Sequence, residues 1–444
     1  MKLMKNYFKI SFMLLAFMGL AAESQAQTIY LSGTTSSGKS KVITSKGQTY
    51  NYNEPVITNL GANKNGVYAL ARTRNVPYYT KEKNMNILNS DYHHDYIPRW
   101  NQEITGGGVV YNNGSVYKAY GDPNWDNEYF YSSLVMKVKP SDVVVAGVLT
   151  KPYQYDKDHN NLLGFQSLMF GEVNKLSKFK SEWKHQDNAG KYKSKSFTDK
   201  LRTLRPMVWH ITDCEYNGGK IYTVGAKEHD GSAYNVSDAT RDYYYNHRVQ
   251  IWANGNEFIK PNSGDYTNSW ATSIDYIVPI NMFLTSGFKW APTQHVWDWA
   301  DRKGIDSHKV TQYAQVWFGK NDAYDLGKRT DKTTKPWETA PRRELMIQKQ
   351  VTNYVGSGFF FLMDDCLYMP PSKNGSKTSI IGGPNIKVWD ICGTVQTDNK
   401  FVYALVTDEN GEDKVYKVQF NSTKPILVHN FGKTGLRNKL IAVY

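Results

Sequence analysis

Three aromatic clusters beside polar groups are the residues in this chain best suited to chemistry with a small ligand. Trp297 and Trp299 flank Asp298, Tyr243, Tyr244 and Tyr245 follow Asp242, and Trp125 precedes Tyr129. Flat rings stack on the C–H faces of sugars while nearby polar groups bond the hydroxyls, so these residues form the expected ligand-binding set. The competing use of such rings is packing beneath long loops as satellite cores.

Acid chemistry has a weaker basis. Asp213, Asp275, Asp364, Asp365 and Asp390 stand beside expected strands. Convergence of two or three of them would supply the carboxylate pair of a glycosidase. Nothing in the sequence selects a pair. No Ser-x-Asp-x-Gly-x-x-Trp box, Gly-x-Ser-x-Gly elbow or phosphate-cradling loop is present. His93-His94-Asp95, Glu228-His229-Asp230 and His295 with Asp298 and Asp301 lack metal-ligand spacing, and polar loop tips collect such residues anyway. The expectation is no metal, no cofactor and, on balance, no enzyme.

Positive charge is concentrated. The 444 residues carry a formal net charge of +13, and residues 175–205 hold ten Lys/Arg against three Asp/Glu. Lys178, Lys180, Lys184, Lys191, Lys193 and Lys195, interleaved with Phe179, Trp183, Tyr192 and Phe197, read as a basic surface insertion. It is either a solvated loop or a patch for an anionic glycan. No nucleic-acid module is visible, and nucleic acid is not expected as a partner.

The elements that must position these residues are short and repeated. The clearest unit runs Asn217-Gly218-Gly219-Lys220-Ile221-Tyr222-Thr223-Val224-Gly225, then Val249-Gln250-Ile251-Trp252-Ala253-Asn254-Gly255. A tight turn feeds one β-prone run, and a second run ends in an Asn-Gly turn. Copies anchored on Tyr68, Tyr117, Tyr222, Phe283, Phe360 and Tyr403, with a degenerate unit at Val143–Gly147 and Gln166–Gly171, give an all-β chain. Its expected fold is a β-propeller of six to seven irregular blades with loop insertions. The Val-Tyr-x-x-Gly strands are expected innermost. A short helix is expected somewhere between Val296 and Gln315.

Asn217 to Gly225, Val249 to Gly255 and Ala271-Thr272-Ser273-Ile274 resemble the β-propeller repeats of secreted gut-bacterial proteins, with Ala253 and Phe318 departing from that pattern. The resemblance implies a propeller fold and imports no catalytic residue, since most such proteins have no assigned activity.

Lys2, Lys5 and Lys9, the apolar run Ile10–Ala22 and Ser24-Gln25-Ala26 read as a signal peptide over residues 1–26. Residues 27–444 are then one exported propeller domain, periplasmic or secreted, with no membrane span in the mature chain. Cys214, Cys366 and Cys392 allow at most one disulfide. The expected function is non-catalytic binding of a carbohydrate. A propeller glycoside hydrolase or lyase, and a protein–protein scaffold that meets another envelope protein, are the alternatives.

Overall fold

The computed structural model describes residues 27–72, 108–120, 130–155, 162–173, 175–181, 210–228, 247–261, 268–292, 308–333, 343–353, 358–370, 377–394 and 400–444. They form seven four-stranded antiparallel sheets, the blades of a β-propeller. Blade 1 orders Arg437–Val443, Ile29–Thr34, Ser40–Thr44 and Thr49–Asn51 from the axis outward. Blades 2 to 7 each take four consecutive strands. They begin with the inner strands Val56–Asn63, Phe130–Val138, His210–Asn217, Asn268–Ile277, Ile347–Thr352 and Lys387–Cys392.

A single four-stranded sheet leaves two apolar faces uncovered, and stacking blades around an axis covers both. One apolar cluster fills each of the seven gaps between neighbouring blades. Between blades 3 and 4, Val144 and Leu168 meet Ile211, Cys214 and Trp252. Between blades 4 and 5, Val224 and Ile251 meet Phe283 and Trp317.

The repeat phase differs from the sequence expectation. The Val-Tyr-x-x-Gly run lies in Lys220–Glu228, the second strand of its blade, and the innermost strand is His210–Asn217. Both the second and third strands are covered on two faces, so Gln250 and Trp252 are as buried as Val249 and Ile251. Apolar content therefore could not say which strand lies at the axis. Ser115–Tyr120 is the outermost strand of blade 2, with Tyr117 exposed, and is not a copy of the Tyr222 strand. The degenerate unit is real as blade 3, built from Phe130–Val138, Val143–Tyr155, Leu162–Glu172 and Lys175–Ser181. His308–Phe318 is a strand, so the expected helix does not extend through Gln315.

Each inner strand is irregular, and that irregularity joins the blades. The register slips past Thr58, Ser132, Thr212, Thr272, Gln348 and Trp389, and again opposite Gly33 in Arg437–Val443. A bulge leaves one residue unpaired and turns backbone groups out of the ladder. Side chains from the neighbouring blade take them up. Thr212 Oγ1 lies 2.7 Å from the Ala271 carbonyl and Thr272 Oγ1 2.5 Å from that of Ile347. Gly287 faces this bulge, and a methyl group there would run into the Trp270 carbonyl oxygen.

The ring is closed by the strand from the far end of the chain. Ile29–Thr34 pairs with Arg437–Val443, and Thr28 and Tyr444 exchange backbone bonds. Buried Lys439 donates to Asp413 Oδ1 at 2.5 Å and to Thr407 Oγ1 at 3.0 Å, tying blade 1 to blade 7. Thr434 donates to the other Asp413 oxygen, and Trp389 Nε1 donates to Thr407 at 2.6 Å. A buried charge deprived of its partner destabilises strongly. Asp413→Ala should cost about 3–5 kcal/mol by denaturant unfolding, more than Asp408→Ala in the 408–412 turn, where the partner Lys414 is not left buried and alone.

The four-stranded pattern gives the propeller two unlike ends. Inner-to-second and third-to-fourth turns share one, here called the hairpin end. Second-to-third and blade-to-blade connections share the other, the crossover end.

Candidate functional site

The seven inner strands enclose a central channel of about 810 Å³. Its charged residues come from strands adjacent around the ring. Near the hairpin end, Lys137 and Lys139 of blade 3, Asp213 and Glu215 of blade 4 and Asp275 of blade 5 come together. On the far wall stand Lys349 of blade 6 and Asp390 of blade 7, 2.9 Å apart.

The acids differ in what holds them. Asp213 accepts from the Cys214 amide at 2.8 Å, the Ile274 amide at 3.0 Å and Ser273 Oγ at 3.2 Å. Asp390 accepts from Lys349 and, at 3.0 Å, from the Ile441 amide. Both therefore satisfy backbone donors of the next blade. Glu215 accepts from the Tyr216 amide at 2.8 Å, from Lys139 on Oε1 and from Lys137 on Oε2 at 3.1 Å.

Asp275 is the exception. Lys137 approaches its Oδ1 at 3.4 Å, and its Oδ2 is buried with no hydrogen-bond partner among the described residues. Burial pushes its carboxyl up to about 6, reinforced by Glu215 and Asp213 and opposed by Lys137. Burial acts on Glu215 in the same sense, but Lys137 and Lys139 overcome it and hold that carboxyl below its ordinary value. Two neighbouring acids are thus pushed apart in pKa. Burial also raises the Asp213 carboxyl and pushes the Cys392 thiol up to about 12, which favours its protonated form.

Of the acids noted in the sequence, Asp213, Asp275 and Asp390 do line the channel. Asp364 and Asp365 form a turn at the crossover end, where only Asp365 reaches it. Lys137, Lys139 and Glu215 were missed, because alternating charge in a strand reads as a solvent face when the axis is unknown. A usable signal was the matched series Ile57-Thr58-Asn59, Ile211-Thr212-Asp213 and Ala271-Thr272-Ser273, each with a polar residue just after its bulge.

Trp297, Asp298, Trp299, Tyr243, Tyr244, Tyr245, Trp125 and Tyr129 lie outside the described residues, as do Lys184, Lys191, Lys193 and Lys195. Lys178 and Lys180 fall in the outermost strand of blade 3, so the basic insertion begins as a strand. The strands flanking residues 121–129, 182–209, 229–246 and 293–307 all open toward the crossover end. Cys214, Cys366 and Cys392 are free thiols. Among the described residues no group of three or more His, Cys, Asp or Glu is placed to hold a metal ion, and no helix is long and apolar enough to cross a membrane.

No family model matches the chain, and no curated protein does. Among solved structures it is similar to a putative 6-phosphogluconolactonase from Bacteroides fragilis, at 10% identity and TM-score 0.36, over 95% of this chain and 99% of that one. It is also similar to the extracellular domain of a putative one-component system from B. thetaiotaomicron, at 12% identity and TM-score 0.34, over 91% of this chain and 46% of that one. A puromycin hydrolase matches at 8% identity and TM-score 0.36, over 83% of this chain and 46% of that one. Likenesses this distant carry nothing about activity.

The Asp275 carboxyl gives a testable pH dependence. Its folded pKa lies above the unfolded value, so its contribution favours the fold below about pH 4 and is lost as pH rises through about 6. Asp275→Asn should therefore raise stability at pH 8 by about 2–3 kcal/mol, with the gain gone at pH 4. Urea unfolding at both pH values checks this.

Proposed function

We propose that the protein is an exported, non-catalytic binding propeller whose channel takes a carbohydrate at the Lys137–Glu215–Asp275 cluster. The observation that carries the reading is the division among the channel acids. Asp213, Asp390 and Glu215 are engaged by amides and lysines, while the Asp275 side chain, 16% exposed and lining the channel, has Lys137 at 3.4 Å from Oδ1 and no backbone donor among the described residues. A polyhydroxylated ligand can donate to such a carboxyl and accept from the lysine. The channel volume of about 810 Å³ suits a small-molecule site, which ordinarily spans about 300–1,000 Å³.

Recognition inside the channel would run through hydrogen bonds. Trp389 is already covered by Lys387, 3.6 Å from its ring centre, and Tyr276 packs on Phe283. The strands flanking Trp297, Trp299 and residues 182–209 open toward the crossover end, so stacking on those rings and contact with the basic segment at 175–205 would need a glycan long enough to thread the channel from the Asp275 cluster. Residues 1–26 would direct export, to the periplasm or beyond.

One observation favours a second reading. Neighbouring acids with separated pKa values are the pattern of acid–base pairs, which would make Asp275 the proton donor of a glycoside hydrolase or lyase. Glu215 argues against it, because lysines hold both of its oxygens.

A glycan array, followed by calorimetry on each hit, tests the proposal. Binding without turnover is expected, weakened about tenfold or more by Asp275→Asn and separately by Trp297→Ala/Trp299→Ala. Glycan cleavage that Asp275→Asn abolishes would establish the hydrolase reading instead. Binding to no glycan at low or high salt would overturn both.

A further inference from the structure

We propose that Gln27 is a modification site: in the exported chain its side-chain amide closes on the α-nitrogen to give a neutral pyroglutamyl N-terminus at the seam of the ring. The site presupposes the export reading of residues 1–26 and does not depend on what the channel binds.

Ser24-Gln25-Ala26 is a small-x-small cleavage signal, so removal of the leader makes Gln27 the first residue. The fold holds that residue where the ring closes. Thr28, the next residue, exchanges backbone hydrogen bonds with Tyr444 at 2.6 and 3.0 Å. Ile29–Thr34 then pairs along Arg437–Val443. Cleavage after Ala26 therefore leaves no tail, because Gln27 alone precedes the ladder.

The surroundings of Gln27 treat its atoms differently. Tyr403, in the second strand of blade 7, donates its hydroxyl to Gln27 Oε1 at 2.6 Å. Tyr403 is buried in the apolar cluster that joins blades 7 and 1, beside Ile29, Leu31 and Val443. The oxygen is thus gripped from a rigid part of the fold. Among the described residues, neither Nε2 nor the backbone nitrogen of Gln27 makes a hydrogen bond.

Cyclisation uses those atoms in the matching way. The unprotonated α-amine attacks Cδ, the N–Cδ bond forms and the Cδ–Nε2 bond breaks. One amine hydrogen departs with Nε2 as ammonia, so no oxidant or other reactant is needed. The oxygen that the five-membered lactam keeps is the one Tyr403 holds, and the nitrogen that leaves is unbonded. Closure therefore costs the seam no hydrogen bond, and it leaves a neutral end in a half-buried position. Tyr403 also donates to the atom on which negative charge develops as Cδ becomes tetrahedral.

Two preparations test this. The full chain with its own leader is exported from a bacterial host, incubated at pH 8, where about half of an α-amine is unprotonated, and its N-terminal peptide is weighed. Residues 27–444, which contain every strand of the ring, are released from a cleavable N-terminal tag and followed at pH 8, folded and in urea. The exported peptide should begin at Gln27, weigh one ammonia less than its sequence requires and resist amine reagents. The tag-released protein should close completely, at least as fast folded as unfolded. Tyr403→Phe should slow closure severalfold in the folded protein and leave the rate in urea unchanged, with a thermal melt confirming that the variant folds. An exported chain that begins at Gln27 and stays open through the incubation would overturn the proposal and leave the leader reading standing. A first residue other than Gln27 would overturn both. A folded chain that stays open while the unfolded one closes would show that the seam blocks the reaction, and equally overturn it.

Discussion

Seven sheets can close into a ring only if the innermost edge of each finds partners for its backbone groups. No further strand lies on the channel side, so side chains must take that place. Bulges in the inner strands present amides and carbonyls to the neighbouring blade, where Thr212, Thr272, Asp213 and Asp390 meet them. The apolar clusters between blades supply most of the burial. The polar contacts at the bulges fix the angle and register at which that burial occurs.

This constraint explains the composition of the channel. A carboxylate bonded to a backbone amide of the next blade is part of the scaffold, however reactive it looks in isolation. Asp213 and Asp390 belong to that class, and the Lys439–Asp413 pair performs the same service at the closure. Asp275 occupies a comparable place on its strand without such a donor on Oδ2. The line between structure and site therefore falls between residues of one chemical type, and hydrogen-bond partners draw it.

Much of the fold was legible from turns and burial. Asn113, Gly114, Asn254 and Gly255 all take positive φ, as Asn-Gly turns demand, and the run at Val143–Gly147 proved to belong to a full blade. The phase of the repeat was not legible, because the second and third strands are equally buried and the inner strands are the more polar ones. Closure was hidden too: Ile29–Thr34 and Arg437–Val443 are hundreds of residues apart, and neither carries the repeat signature. Of the site, Asp213, Asp275 and Asp390 could be named but not grouped. Grouping needs the ring order, and Glu215, Lys137 and Lys139 only acquire meaning once blades 3, 4 and 5 are neighbours.

The central claim is that one channel acid is held apart from its neighbours. Site-resolved carboxyl NMR titration of Asp275 and Glu215 in the folded protein tests it most directly. The account predicts a midpoint of about 6 for Asp275, with Glu215 still ionised below its ordinary range. Both groups titrating together in the ordinary carboxylate range, near pH 4, would contradict it and leave the channel without a distinguished residue.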